Sequence, residues 1–77
     1  MWKEIDNSLV SEFEFADFTE AFGFMAKVAL IAERMQHHPE LTNTYNRLTI
    51  RLTTHDKGNK VTEKDREMAA EISKLTE

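Results

Sequence analysis

Seventy-seven residues, 40% of them hydrophobic and 31% charged, suffice for one small domain and are too few for a large private core. The chain has no cysteine, which excludes disulfides and thiolate metal sites and points to a reducing, cytoplasmic setting. A net charge of −4, with acidic and basic residues interleaved, argues against a nucleic-acid surface, which would gather Lys and Arg into clusters. The opening "MWKEIDNSLV" lacks a basic segment followed by an apolar one, so no signal peptide is expected. No apolar stretch approaches the roughly 18 residues needed to cross a membrane. Chains this small commonly gain stability by associating with a second copy.

In chain order, "WKEID" (2–6) predicts a first strand and "NS" (7–8) its turn. "SLVSEFEF" (8–15) alternates Leu9, Phe13 and Phe15 with Val10, Glu12 and Glu14, the period of two expected of a half-buried strand, with Ser11 interrupting its inward row. Asp17 opens a helix: its carboxylate can accept from the N–H near Glu20, and Glu20 can reach back, as in a capping box. The helix runs to about Gln36, because Pro39 disfavours helical geometry at His38. Phe18, Phe22, Met25, Ala29 and Ala32 form one apolar stripe, and Ala21, Phe24, Val28, Ile31 and Met35 a second beside it. Together they cover about half the circumference, more than contact with a small sheet requires, and the surplus reads as an oligomer surface.

"NTYNRLTIRLTTH" (43–55) predicts a hairpin in which Leu48, Ile50 and Leu52 point one way and Arg47, Thr49, Arg51 and Thr53 the other. Its reversal is expected near Tyr45–Arg47, with Asn46 supplying the positive φ of a tight turn. "DKGNK" (56–60) is a polar loop, after which Thr62 caps a second helix with Asp65 at its third position and an apolar row of Met68, Ala69, Ile72 and Leu75. The order β-β-α-β-β-α predicts an α+β fold: a four-stranded antiparallel sheet with two helices packed on one face.

Three histidines remain: His37 and His38 against the only proline, Pro39, and His55 at the end of a strand. Adjacent residues leaving a helix are aimed about 100° apart, so three imidazoles could converge on one pocket suited to proton transfer near neutral pH. They could equally be surface and capping residues, since a helix C-terminus favours a cationic histidine. A three-histidine zinc site is the third reading, though neighbouring ligands lack the i, i+4 spacing that puts two histidines on one helix face. The residues alone leave the three open.

Glu33-x-x-x-His37-His38-Pro39, then Tyr45, His55 and Asp65 at their spacings, with "FADFTEAFGFMAKVAL" (15–30) and "THDKGNKVTEKD" (54–65), resemble the pterin-4a-carbinolamine dehydratases. The likeness runs from about Trp2 to Leu75, and it implies a single domain of this kind over residues 1–77. It further implies a hydro-lyase that converts 4a-hydroxytetrahydropterin to quinonoid dihydropterin, recycling the cofactor of aromatic amino-acid hydroxylases without metal or cofactor of its own. By similarity His37 is the base, His55 the acid, and His38 binds substrate and relays protons. Gln36, Thr53, Thr54 and Asp56 join the three histidines as substrate contacts, and Glu33, Pro39 and Asp65 support them. Glu33, one turn before His37, could orient it, while Asp65 is also explained by its helix cap. Tyr45 is expected in core or turn packing, and Met25 and Met35 in the core or an interface. The half-circumference apolar face on residues 18–35 is expected to be covered by another subunit, giving a homodimer or tetramer. Two alternatives accompany the dehydratase reading: a non-catalytic dimerisation or stabilising partner of another protein, and an enzyme acting on another pterin. Family members often carry a helix before the tryptophan that Trp2 matches, which bears on oligomer packing, and an aromatic residue where this sequence has Leu41, a change that implies weaker pterin stacking or a different substrate.

Overall fold

The structure is a computed structural model that describes residues 1–76. Its elements are β1 (Lys3–Ile5), β2 (Ser8–Glu14), α1 (Phe18–Met35), β3 (Glu40–Thr44), β4 (Arg47–Leu52), a single 3-10 turn (His55–Lys57) and α2 (Glu63–Lys74). The predicted β-β-α-β-β-α order holds, and the strands form one antiparallel sheet in the order β1-β2-β4-β3.

The register decides which side chains meet the helices. Leu9 faces Leu52, Ser11 faces Ile50 and Phe13 faces Leu48 across β2 and β4, while Leu41 of β3 lies opposite Ile50. Because successive side chains alternate faces, this row lies on one side, and the two helices cover it: α1 packs on β3 and β4, α2 on β2. Leu48, Ile50, Leu52, Val28, Met68 and Ile72 are fully buried there. Ser11 is accommodated in this row because its hydroxyl donates to the carbonyl of Met1 at 2.9 Å. Glu12, Glu14, Thr42, Thr49 and Arg47 take the other face, which no helix among the described residues covers.

Both hairpin turns differ in detail from expectation. The first lies at Asp6–Asn7 rather than Asn7–Ser8, since Asp6 (φ 50) and Asn7 (φ 64) both adopt the left-handed region that a two-residue hairpin demands and that Asp and Asn tolerate. Ser8 instead begins β2 and is buried. In the second turn the positive φ belongs to Tyr45 (φ 51), not Asn46. Asn46 ties the turn to the end of β2 instead. Its side-chain amide donates to the carbonyl of Phe15 at 2.9 Å and its carbonyl accepts from the Phe15 N–H at 2.8 Å. The Asn43 amide supports the turn by donating to the carbonyl of Arg47 at 2.7 Å. Tyr45 itself is exposed in the turn, outside the core.

Helix α1 begins as predicted, with Oδ1 of Asp17 accepting from the N–H of Glu20 at 2.9 Å; Glu20 reaches back one residue further, to the N–H of Ala16 at 2.8 Å. Ala21, Phe24, Val28, Ile31 and Ala32 are its buried residues. Of the predicted stripes, Phe18 is 49% and Phe22 57% exposed, their rings 5.9 Å apart, and Leu30, outside both stripes, is 72% exposed. Met25 and Met35 pack partly buried against the core. Arg34 of α1 binds Glu71 of α2 at 3.1 Å, and this guanidinium together with Lys74 holds the Glu71 carboxyl below its ordinary range. No helix among the described residues is long and apolar enough to cross a membrane.

Candidate active site

The site begins where α1 stops. Gln36 takes the left-handed conformation (φ 52, ψ 44), its backbone N–H bonding the carbonyls of Ala32 and Glu33 and its side-chain amide donating to the Glu33 carbonyl at 2.7 Å. A left-handed residue at a helix end reverses the chain and satisfies the last carbonyls. The N–H of His37 then bonds back to the carbonyl of Ala32 at 3.1 Å, Pro39 prevents resumption of the helix, and β3 starts at Glu40. The two neighbouring imidazoles are thereby sent to opposite environments. His37 turns inward and is 8% exposed, while His38 stays in solvent.

The inward ring meets Asp65, the most buried charged residue among the described residues at 0% exposure. Nε2 of His37 lies 2.5 Å from Oδ1 of Asp65. The other carboxylate oxygen accepts from the hydroxyl of Thr54 and from the N–H of Thr62, each at 2.8 Å, and the Thr54 and Thr62 hydroxyls bond each other at 2.7 Å. Burial opposes ionisation of Asp65, but the bonds from His37, the Thr62 N–H and Thr54 outweigh it and hold its carboxyl below the ordinary carboxylate range. An ionised carboxylate only accepts, so Nε2 of His37 carries the proton. Every buried side-chain nitrogen and oxygen among the described residues has a partner. Nδ1 of His37 bonds no other group among the described residues, which leaves its lone pair available when the ring is neutral.

His55 stands next in the chain to Thr54, on the 3-10 turn, and is exposed. Its Nδ1 lies 2.8 Å from Oδ1 of Asn59. The set is therefore linked: His38 adjoins His37, His37 bonds Asp65, Asp65 bonds Thr54, and Thr54 precedes His55. Thr54 is itself buried, and it pairs with Lys60 in a short bridge that closes the loop. Thr53 donates to the carbonyl of Asn7 at 2.9 Å, and Asp56 is exposed on the turn beside His55.

Two expectations change. Glu33 does not orient His37; its carboxylate meets Nε2 of exposed His38 at 2.9 Å, because the left-handed turn at Gln36 carries His37 away from the face on which an i, i+4 pair would form. Asp65 does more than cap its helix, since one carboxylate both accepts from the Thr62 N–H and anchors His37. Thr62 and Asn59 are residues the sequence reading missed. Thr62 carried a signal only as a helix cap, and Asn59 none beyond its place in a polar loop. Among the described residues no three His, Asp or Glu side chains gather as a metal cradle.

A concavity of about 760 Å³ lies elsewhere, on the open face of the sheet, lined by Glu12, Glu14, Thr42, Arg47 and Thr49 among others. It includes none of the three histidines, so the groups suited to proton transfer at neutral pH lie outside it.

Residues 1–75 match the sequence pattern of one family, described as pterin 4 alpha carbinolamine dehydratase. Over 74 residues the chain is 54% identical to a protein of Solibacter usitatus provisionally named pterin-4-alpha-carbinolamine dehydratase, spanning 96% of this chain and 77% of that one. A protein of Prochlorococcus marinus strain MIT 9515 with the same provisional name is 47% identical over 76 residues, spanning 99% and 78%. The crystal structure of a transcriptional coactivator/pterin dehydratase from Brucella melitensis superposes with a TM-score of 0.90 at 45% identity, covering 96% of this chain and 80% of that one. A pterin dehydratase-like protein identified as a RuBisCO assembly factor of the α-carboxysome superposes at 0.80 with 23% identity, over 96% and 87%, a likeness of fold alone.

Proposed function

Because this chain belongs to the pterin-4a-carbinolamine dehydratase family, we propose that it dehydrates 4a-hydroxytetrahydropterin to quinonoid dihydropterin by acid–base catalysis between histidines. The observation that carries this reading is the buried Asp65 beneath His37, which leaves Nδ1 with an available lone pair. Loss of water from a carbinolamine requires a proton to leave the neighbouring ring nitrogen while another reaches the departing hydroxyl. The C–O bond breaks, a C=N bond forms, and water is released. His37 takes the first proton at Nδ1, and the Asp65 carboxylate lies against the positive charge that the ring then acquires. His55 delivers the second, and His38 binds substrate and relays protons. Gln36, Thr53 and Asp56, near these histidines in the chain, serve as substrate contacts, while buried Thr54 contributes through its hold on Asp65. General acid–base assistance of this type supplies about 10²–10⁴-fold. In a hydroxylase-coupled assay the purified chain should accelerate disappearance of the carbinolamine, with a bell-shaped pH profile because one ring must be neutral while the other is protonated. The rate should survive exhaustive EDTA treatment; loss with EDTA and recovery with zinc would contradict it.

A second reading rests on the exposed apolar row of α1. Phe18, Phe22 and Leu30 form a surface that water disfavours at about 25 cal/mol per Å², and a further copy of the chain covers it in a dimer or tetramer. A non-catalytic stabilising role toward another protein would use the same row. Light scattering at micromolar concentration should give a mass at least twice 9.0 kDa, and Phe22→Glu should shift it toward the single chain. A native sample of 9.0 kDa alone would refute self-association.

A further inference from the structure

His55 and His37 are held through opposite nitrogens. His37 is gripped at Nε2 by a buried carboxylate, whereas Nδ1 of His55 meets the side-chain oxygen of Asn59 at 2.8 Å. We propose that Asn59 is the positioning residue for the acid of this site: its carboxamide oxygen fixes the proton of His55 on Nδ1 and aims Nε2 at the substrate. The inference rests on the dehydratase reading for its catalytic consequence, though not for the tautomer it assigns.

The loop is built to place that oxygen. Gly58 (φ 76) and Asn59 (φ 58) are consecutive left-handed residues, the region that asparagine tolerates better than most side chains. The Gly58 N–H bonds the His55 carbonyl at 3.1 Å, and beyond Asn59 the chain is clamped by the Thr54 N–H to the Lys60 carbonyl at 2.9 Å. Residues 54 and 60 are thus pinned together, and the segment between them must turn back on itself. The Asn59 side chain folds across this turn onto the ring four residues earlier. An amide oxygen only accepts, so Nδ1 donates whether the ring is neutral or charged, and which ring nitrogen holds the proton follows from the bond the other makes. A neutral amide also leaves His55 without the second buried carboxylate that would make its setting like that of His37. The two rings are thereby distinguished by their partners.

Asn59→Gly and Asn59→Asp separate the side chain from the backbone. Glycine accepts the left-handed φ at no steric cost, so the loop should persist, shown by unchanged amide signals at Thr54 and Lys60. Long-range ¹H–¹⁵N correlation spectra at a pH where His55 is neutral should show the proton on Nδ1 in the native chain and a mixture of tautomers in Asn59→Gly. The kcat of Asn59→Gly should fall about 3- to 10-fold, the worth of one neutral hydrogen bond, with KM little changed. Asn59→Asp should restore the Nδ1–H form and move the alkaline limb of the kcat profile to higher pH, because a carboxylate favours the protonated ring. Charged groups on the turn and in the bonded network about His55 include Asp56 and Lys57 on its own turn, Lys60 across the bridge, and the Asp65–His37 pair beyond Thr54. All are common to the variants, so a displaced limb reports position 59. A native His55 that is not Nδ1–H overturns the proposal, as does a tautomer unaltered in Asn59→Gly or an altered one with undiminished kcat. Should the native chain lack dehydratase activity, the spectra alone still decide whether Asn59 holds the ring.

Discussion

Asp65→Asn should lower kcat by about 10²–10⁴-fold, the range of a lost acid–base contribution, although the side chain keeps its shape. The reason lies in its three partners. The Thr62 N–H at 2.8 Å from Oδ2 can only donate, so the asparagine oxygen must remain there, and its NH₂ group must turn toward His37. An NH₂ group facing Nε2 requires a lone pair on that nitrogen, which moves the ring proton to Nδ1 and removes the base. An amide in place of the carboxylate behind a catalytic imidazole selects the wrong tautomer in this way. The pH dependence of stability should change as well. The folded carboxyl of Asp65 lies below its ordinary range, so its ionised form contributes stability that is fully present above the unfolded value. That contribution is lost as pH falls through the folded value. Native protein should therefore weaken on acidification within this low window, and Asp65→Asn should show a flatter acid limb. Denaturant melts at several pH values check this, and parallel acid limbs would contradict it.

His37→Ala and His55→Ala should both lower kcat steeply, yet differ in what they do to the fold. His55 is exposed, so its removal should leave stability within about 0.5 kcal/mol, as for most surface substitutions. His37 is 8% exposed and bonded to a carboxylate with no exposure. Its truncation leaves a buried charge short of one partner, at about 3 kcal/mol, the low end for breaking a buried pair because Thr54 and Thr62 still donate to Asp65. The sequence alone suggests exposed functional residues at positions 37 and 55, each within about 1 kcal/mol on truncation; the burial of His37 separates the two. The double variant should lose less activity than the product of the single losses, since groups acting together are non-additive. Equal melting midpoints for the two single variants would contradict the structural assignment.

Much of the fold was legible because its signals are local. The alternation in 8–15 and 47–53, the Asp17 cap and the Thr62–Asp65 cap each follow from a few neighbouring residues, and the structure places them in the predicted β-β-α-β-β-α order. Turn details were less so: Asn46 is a turn former, yet the positive φ falls on Tyr45, while Asn46 is tied over a long range to Phe15. The candidate site was legible as a set of residues but not as a network. Position 65 reads as an ordinary helix cap, and its bond to His37 spans 28 residues, a separation that no helical or strand period encodes. Glu33 illustrates the converse. Its i, i+4 spacing to His37 is correct for a continuing helix, but the left-handed turn at Gln36 ends the helix first and gives Glu33 to His38. Asn59 was hidden for the same reason, because its role arises from a loop closed by the Thr54–Lys60 bridge.

The most direct test follows the loss of 4a-hydroxytetrahydropterin, generated by a hydroxylase, in matched preparations of native chain and His55→Ala. Folding of each is verified by its melting curve in the same buffer. Native chain should accelerate the loss well above the spontaneous rate, and folded His55→Ala should return it close to that rate. A native rate equal to the spontaneous one, or a folded His55→Ala as fast as native, would contradict histidine-catalysed dehydration by this chain.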